Sequence, residues 1–534
     1  MASLAVWQTQ SRAGQTETAA PGGKYTEGLV GQPKNINPLL SPANDVDADL
    51  TKIIYSGLYD FDSTLNLIPD LASQLPEISA DGKIYTIKLK DNIVWHDGTP
   101  LTASDVVYTY QLIQDPEFAS PLRFSWNKVE VEKVDELTVK LTIRESSATF
   151  IANLTVGIIP KHIWESVGSN NFALSKFNLQ PIGSGPFKIT EIKRGRDGDI
   201  QTIMLERFSK YHKGEAFLDG VEFKFYETND ELINAYQSRS VQGLGYQPYD
   251  RNLFIRPRES LRKISLTLPQ YQAVFINQTK NPAGLGDARI RLALAKAVDK
   301  QKIIDEVYAG AAEEAYGPIL PRYLGYHEQI PGADMNIYGL DRAKQLLDEA
   351  GFPINPETGL RTDKEGRILT LNLATNNFSP NVRVAEILKE MWEALGIQII
   401  LNIETIADLE EGFIRPRNYE LLLFSENVGA DPDPYAYWHS SQVRDPGLNL
   451  TSFAVSEADK LLVEARVNQP AEDRAAKYRK FQELFVGQIP AIFLNQNVFV
   501  YNIPAKIKGL ELNTVVTPAD RFANIDNWHV KTKK

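Results

Sequence analysis

The sequence has no cysteine among its 534 residues. That excludes disulfides, zinc–cysteine sites, thiol nucleophiles and a lipid-modified cysteine within this chain. Long apolar runs are missing too: no stretch approaches the roughly 18 uninterrupted apolar residues that a spanning helix needs. Histidine is scarce. The six present (His96, His162, His212, His327, His439 and His529) never fall at a close metal-ligand spacing such as i, i+4, so no local metal site is expected. No dinucleotide fingerprint, P-loop or nucleophile elbow occurs, and no carboxylate pair is marked out by spacing for acid–base work. The expectation is a protein without cofactor or catalysis. Basic residues are in the minority, giving a net charge of −11 and a pI near 5.3. Nucleic acid needs a basic face, so it is not an expected partner.

What is present is a globular composition, 43% hydrophobic and 23% charged. At roughly 150 residues per domain the length predicts two to four domains. Residues 1–7 are mildly apolar and read as the stub of an anchor or signal. Residues 8–24 form a Gln/Thr/Ala/Gly run without periodicity, read as a flexible tether.

From Tyr25 to residue 276 the pattern is strand-rich and mixed. Tyr85, Ile87 and Leu89 alternate. Thr102 and Asp105 form a capping box ahead of a helix over 103–114. His96, in the turn before it, reads as a turn histidine bonded to backbone. Gly183-Ser184-Gly185 lets backbone approach a partner closely. From 277 to 490 strands alternate with helices, the signature of an α/β domain with βαβ units. There Asp287 is expected to cap one long helix running to Tyr308, and Ser456 and Asp459 to cap a helix over 456–467. Strand 491–501 and the tail to 534 are too short for a domain and must rejoin another.

Residues 419–442, YELLLFSENVGADPDPYAYWHSSQ, stand out. A buried strand, 419–424, gives way to polar Ser425-Glu426-Asn427. Two Asp-Pro pairs, Asp431-Pro432 and Asp433-Pro434, then rule out helix or ladder. Tyr435, Tyr437, Trp438 and His439 follow. Acids and amides past a strand's carboxyl end, beside aromatic rings, suit a ligand with a cationic end and an apolar body. The plainer reading is a braced strand-to-helix loop with packed rings.

Six segments in order resemble the family 5 extracellular solute-binding proteins, the peptide- and nickel-type receptors of ABC importers. They are IVWHDGTPLTASDV (93–106), GSGPF (183–187), LDGVEF (218–223), RIRLALAKAVDK (289–300), AKQLLDEAGF (343–352) and DP (433–434). The resemblance spans about residues 25–515. It implies an α/β, two-lobed periplasmic-binding-protein-like fold of the cluster C type, with an extra subdomain in lobe one. Lobe one would comprise 25–60, 182–276 and 491–534, with 61–181 as the inserted subdomain and 277–490 as lobe two. It also implies a monomer outside the cytoplasm, tethered to the membrane, that binds short peptides and delivers them to an ABC permease. The alternatives are another solute (an oligosaccharide, an opine-like conjugate or a metal chelate), a secreted hydrolase, or a sensor without a transport role. In peptide-binding relatives an acid before the acidic-Pro pair holds the ligand's α-amino group. Here that register falls on Ala430, with Asp431 one residue out and Glu426 upstream. The expected ligand contacts are Asp431, Glu426, Asn427, Asp433, Trp438, His439, Asn277 at the hinge, Ser184 and Asn37.

Overall fold

The computed structural model describes residues 18–147, 149–246, 255, 261–279, 284–331, 333–467 and 469–533. Two lobes are strung on a pair of long antiparallel strands, Leu261–Ile276 and Ala491–Pro504. Their register slips between Thr267 and Tyr271, where Pro269 supplies no N–H to the ladder. Gln496 Nε2 donates to Leu268 O there (2.7 Å) and Arg322 Nη1 to Thr267 Oγ1 (3.0 Å). Before the slip, Leu266 packs with Phe499, Tyr501 and Ile503 in the first core. Beyond it, Tyr271–Ile276 and Ala491–Leu494 belong to the two cores of the other lobe. The crossing point is therefore the irregular stretch itself.

In lobe one, strand Lys24–Val30 runs parallel to Gly220–Tyr226 on one side and Gly243–Leu244 on the other, and Ile200–Arg207 and Phe187–Arg194 complete a five-stranded sheet. A four-stranded sheet built around Ile84–Lys88 and Thr138–Thr142 carries helix Ala103–Gln114. The capping box forms as read: Thr102 N donates to Asp105 Oδ2 (2.8 Å) and Ser104 N to Thr102 Oγ1 (3.3 Å). Lobe two is a six-stranded sheet in which Leu421–Asn427 lies between Leu261–Ile276 and Thr370–Asn376. Phe499, Tyr501, Val515, Phe522 and Trp528 pack into the first core beside Tyr25.

One buried cluster ties lobe one together. Arg521, wholly buried, donates from Nη1 and Nη2 to Asp49 (2.6 Å each) and from Nε and Nη2 to Glu27 Oε1 (3.0 and 2.7 Å). Tyr25 and Tyr501 each donate to Glu27 Oε2 at 2.6 Å. A buried charge group of this kind holds only while every member is bonded.

Three local expectations are corrected. Thr18–Ala20, read as part of a flexible tether, pairs antiparallel with Lys531–Lys533; residues 8–17 of that reading lie outside the described residues. The helix from Asp287 ends at Lys296, and Asp299 caps a second one, Lys300–Tyr308, by accepting from Lys302 N (3.0 Å). Aspartate is worth more at a cap than inside a helix, which divides the apolar stripe in two. Helix Ser456–Ala465 has Val455 at its N-cap without a side-chain cap, because Asp459 bonds Ser440 instead (N 2.9 Å, Oγ 2.6 Å).

Candidate functional site

A cavity of about 630 Å³ opens where the hinge strands leave lobe one. One wall is helix Asp45–Ile54. Asn44 starts it by accepting from Val46 N (2.9 Å), and its spacing places Asp45, Asp49, Lys52 and Tyr55 on one face toward the cavity. Trp126, Tyr211 and Tyr246 add rings, and Phe522 and its neighbours come from the chain's end. On the side of the second lobe, Gln270 and Asn427 contribute; they face each other across the first rung between the Leu261–Ile276 and Leu421–Asn427 strands.

Six aspartates line this space against two lysines. Each nearby cation is shared. Lys52 Nζ reaches Asp60 (2.8 Å) and Asp520 (2.9 Å). Arg521 serves Asp49 and Glu27. Lys213 Nζ bonds Asp70 (2.8 Å), which also meets His212 Nε2 (2.7 Å), and it acts electrostatically on Asp526. Burial pushes Asp49 up to about 6 despite Arg521, and burial likewise raises Asp60 and Asp526. In Asp70 burial is outweighed by the His212 hydrogen bond and by Lys213, which hold it well below the usual carboxylate range. Asp45 is exposed and has no cation partner among the described residues.

Of the residues expected from the sequence, Asn427 lines the cavity. Glu426, next to it on the opposite face of the strand, is 6% exposed and accepts from Tyr271 Oη; its other oxygen has no partner among the described residues. Burial pushes its carboxyl up to about 8, against the pull of the Tyr271 hydrogen bond. Asp431 is gripped by Arg474 through both terminal guanidinium nitrogens, Nη1 at 2.5 Å from Oδ2. Asp433 pairs with Arg466 Nε at 3.1 Å. Trp438 is buried among Phe275, Phe485 and Phe493. His439 stacks on Tyr435 and accepts from Ser441 N (3.1 Å) at Nδ1.

The other three lie elsewhere. Asn277 sits past the far end of its strand and closes a turn, accepting from Thr279 N (3.1 Å) and donating to Arg417 O (2.9 Å). The hinge lies near Pro269, eight residues away along extended chain, about 20 Å or more. Ser184 is buried and accepts from Ser56 N (3.3 Å). The partner that its flanking glycines approach is the end of helix Asp45–Ile54: a Cβ on Gly183 would stand 1.9 Å from Ile54 O. Asn37 is buried and accepts from Leu39 N (3.0 Å) within its own turn. His96 is the backbone-bonded histidine expected: Gly183 N donates to Nδ1 (3.2 Å), and Nε2 meets Gly185 O (3.1 Å). Burial pushes it down to about 4, so the ring is neutral at pH 7.

The sequence reading missed the cavity's acidic wall. Its one local signal was the run Asp45, Asp49 and Lys52 at helical spacing; Asp70, Lys213 and Asp520 arrive from far along the chain. Among the described residues, no group of three or more His, Asp or Glu side chains is placed to hold a metal, and no helix is long and apolar enough to cross a membrane.

Comparison with known proteins gives a consistent result. The chain is 27% identical over 515 residues to the oligopeptide-binding protein AppA of Bacillus subtilis, covering 95% of this chain and 91% of that one. The structure of AppA in complex with a nonapeptide superposes with a TM-score of 0.70 at 26% identity, over 96% of this chain and all of that one. The ABC transporter substrate-binding protein CtaP of Listeria monocytogenes gives a TM-score of 0.78 at 26% identity, over 96% of this chain and 100% of that one. The model of the bacterial extracellular solute-binding proteins, family 5, matches residues 66–447. With two lobes on paired hinge strands and a cavity between them, the chain belongs to the family 5 bacterial extracellular solute-binding proteins.

Proposed function

We propose that this protein is the extracytoplasmic receptor of an ABC importer, capturing short peptides between its lobes and delivering them to a membrane permease. The observation that carries the reading is the cavity at the hinge. About 630 Å³, lined by both rings and polar groups, falls within the range of roughly 300–1,000 Å³ typical of small-ligand sites. Closure of two lobes over such a space excludes water and strengthens each polar contact inside. Relatives that bear the names of oligopeptide- and dipeptide-binding proteins favour peptide over other solutes. The receptor would act without catalysis, as a monomer tethered near the membrane.

Within this reading, Asn427 is the contact from lobe two, while Asp431 and Asp433 brace the loop through Arg474 and Arg466. The proposed division is lobe one from 25–60, 182–276 and 491–534, subdomain 61–181, and lobe two 277–490. The make-up of the first core, which joins residues near Tyr25 to residues near Trp528, supports it. The test is mass spectrometry of small molecules extracted from the purified protein under denaturing conditions. Short peptides are expected. A sugar or a metal chelate would overturn the peptide reading and leave the receptor role.

A further inference from the structure

The cavity wall on lobe one carries more negative charge than its own cations can meet. Its six aspartates are answered by Lys52 and Lys213 on the wall and Arg521 behind it, and each of these three is divided between two carboxylates. Asp45 is left with no cation among the described residues. A second observation points the same way. Thr51 lies on this wall, is 7% exposed, and its hydroxyl has no hydrogen-bond partner among the described residues. A buried hydroxyl without a partner costs free energy until something bonds to it. Burial raises the Asp49 and Asp60 carboxyls on this wall, against the pull of Arg521 and Lys52. The loop acids cannot supply a competing site, since Asp431 and Asp433 already hold arginines.

We infer that the lobe-one wall of the cavity is a binding site for the ammonium or guanidinium groups of a multiply charged organic cation, supplied by the lysine and arginine side chains of a short peptide. Asp45 takes one such group and Thr51 accepts a hydrogen bond from the ligand beside it. Tyr55 and Tyr246 flank the methylene stems that carry the charges, as ring faces do for cationic side chains. This inference rests on the peptide-receptor reading for its ligand source.

The experiment is calorimetric titration of the full chain with three pentapeptides, Ala-Lys-Ala-Lys-Ala, pentaalanine and Ala-Glu-Ala-Glu-Ala, and with spermidine, at low and high salt. The lysine peptide should bind about tenfold tighter than pentaalanine at low salt, as one charge-assisted contact gives, and the glutamate peptide more weakly than either. The lysine advantage should shrink as salt rises. Asp45→Asn and Thr51→Val should each narrow the ratio of lysine-peptide to alanine-peptide affinity, with circular dichroism reporting the fold. Equal binding of the three peptides would overturn the cation site and leave the peptide receptor standing. Spermidine bound without any peptide would keep the cation site, assign it to a free polyamine and overturn the peptide reading. Binding of none of the four would overturn both.

Discussion

Glu426 offers a direct test of the electrostatics in lobe two. Its ordinary pKa is near 4.5 and burial raises it to about 8. The folded state therefore keeps the proton to higher pH than the unfolded chain does. Between these two values the unfolded state binds fewer protons, so stability falls as pH rises, by about 1.4 kcal/mol per pH unit. It is full below pH 4.5 and is lost progressively up to about 8, an overall difference of roughly 4–5 kcal/mol as an upper figure. Glu426→Gln keeps the shape and an oxygen to accept from Tyr271 Oη, and cannot ionise. The variant should match the wild type near pH 5 and exceed it near pH 8, with a melting temperature higher by about 10 °C for a lobe of this size. Scanning calorimetry from pH 5 to 8 is the assay. Parallel melting curves for wild type and variant across that range would refute the reasoning, because they would mean that Glu426 ionises freely in the fold.

Three further outcomes are expected. Arg521→Met leaves Glu27 and Asp49 buried without their cation and should cost about 3–5 kcal/mol, read as a lower denaturant midpoint for lobe one. Arg474→Met frees Asp431 and should speed amide exchange and proteolysis around 431–434 while leaving peptide affinity within about twofold, since a cost near 0.4 kcal/mol or less is expected for a brace outside the cavity. Asn427→Ala should do the reverse, weakening peptide binding by about 1 kcal/mol in titration with little change in melting temperature.

Much of the fold was legible where the signal is local. Thr102 and Asp105 announced their helix, and the alternation of Tyr85, Ile87 and Leu89 a strand. The hinge was half seen: 491–501 read as a strand, but Pro269 and the polar residues Arg262, Lys263 and Ser265 disguised its partner Leu261–Ile276, which the Ala491–Pro504 strand holds in place. The site was less legible than the fold. The aspartates of 431–434 looked available because their arginines, 466 and 474, come more than 30 residues later on other elements. The acidic cavity wall was invisible for the same reason, since only the folded topology brings Asp49, Asp70 and Asp520 together.

The Arg521 cluster also bears on the order in which the chain can be completed. Glu27 and the guanidinium that neutralises it are 494 residues apart. While the chain is being made, Glu27 and Asp49 wait for a partner that is synthesised almost last. The buried members of the second and third cores all lie between Tyr271 and Leu494, with the partly buried Leu65 packing on the third from earlier in the chain, so that lobe can close before Arg521 exists. The lobe that begins first is the one that finishes last, the reverse of the usual N-terminal-first sequence. A released chain cut between Pro504 and Arg521 would hold a finished lobe two and a lobe one still lacking the charge at its centre.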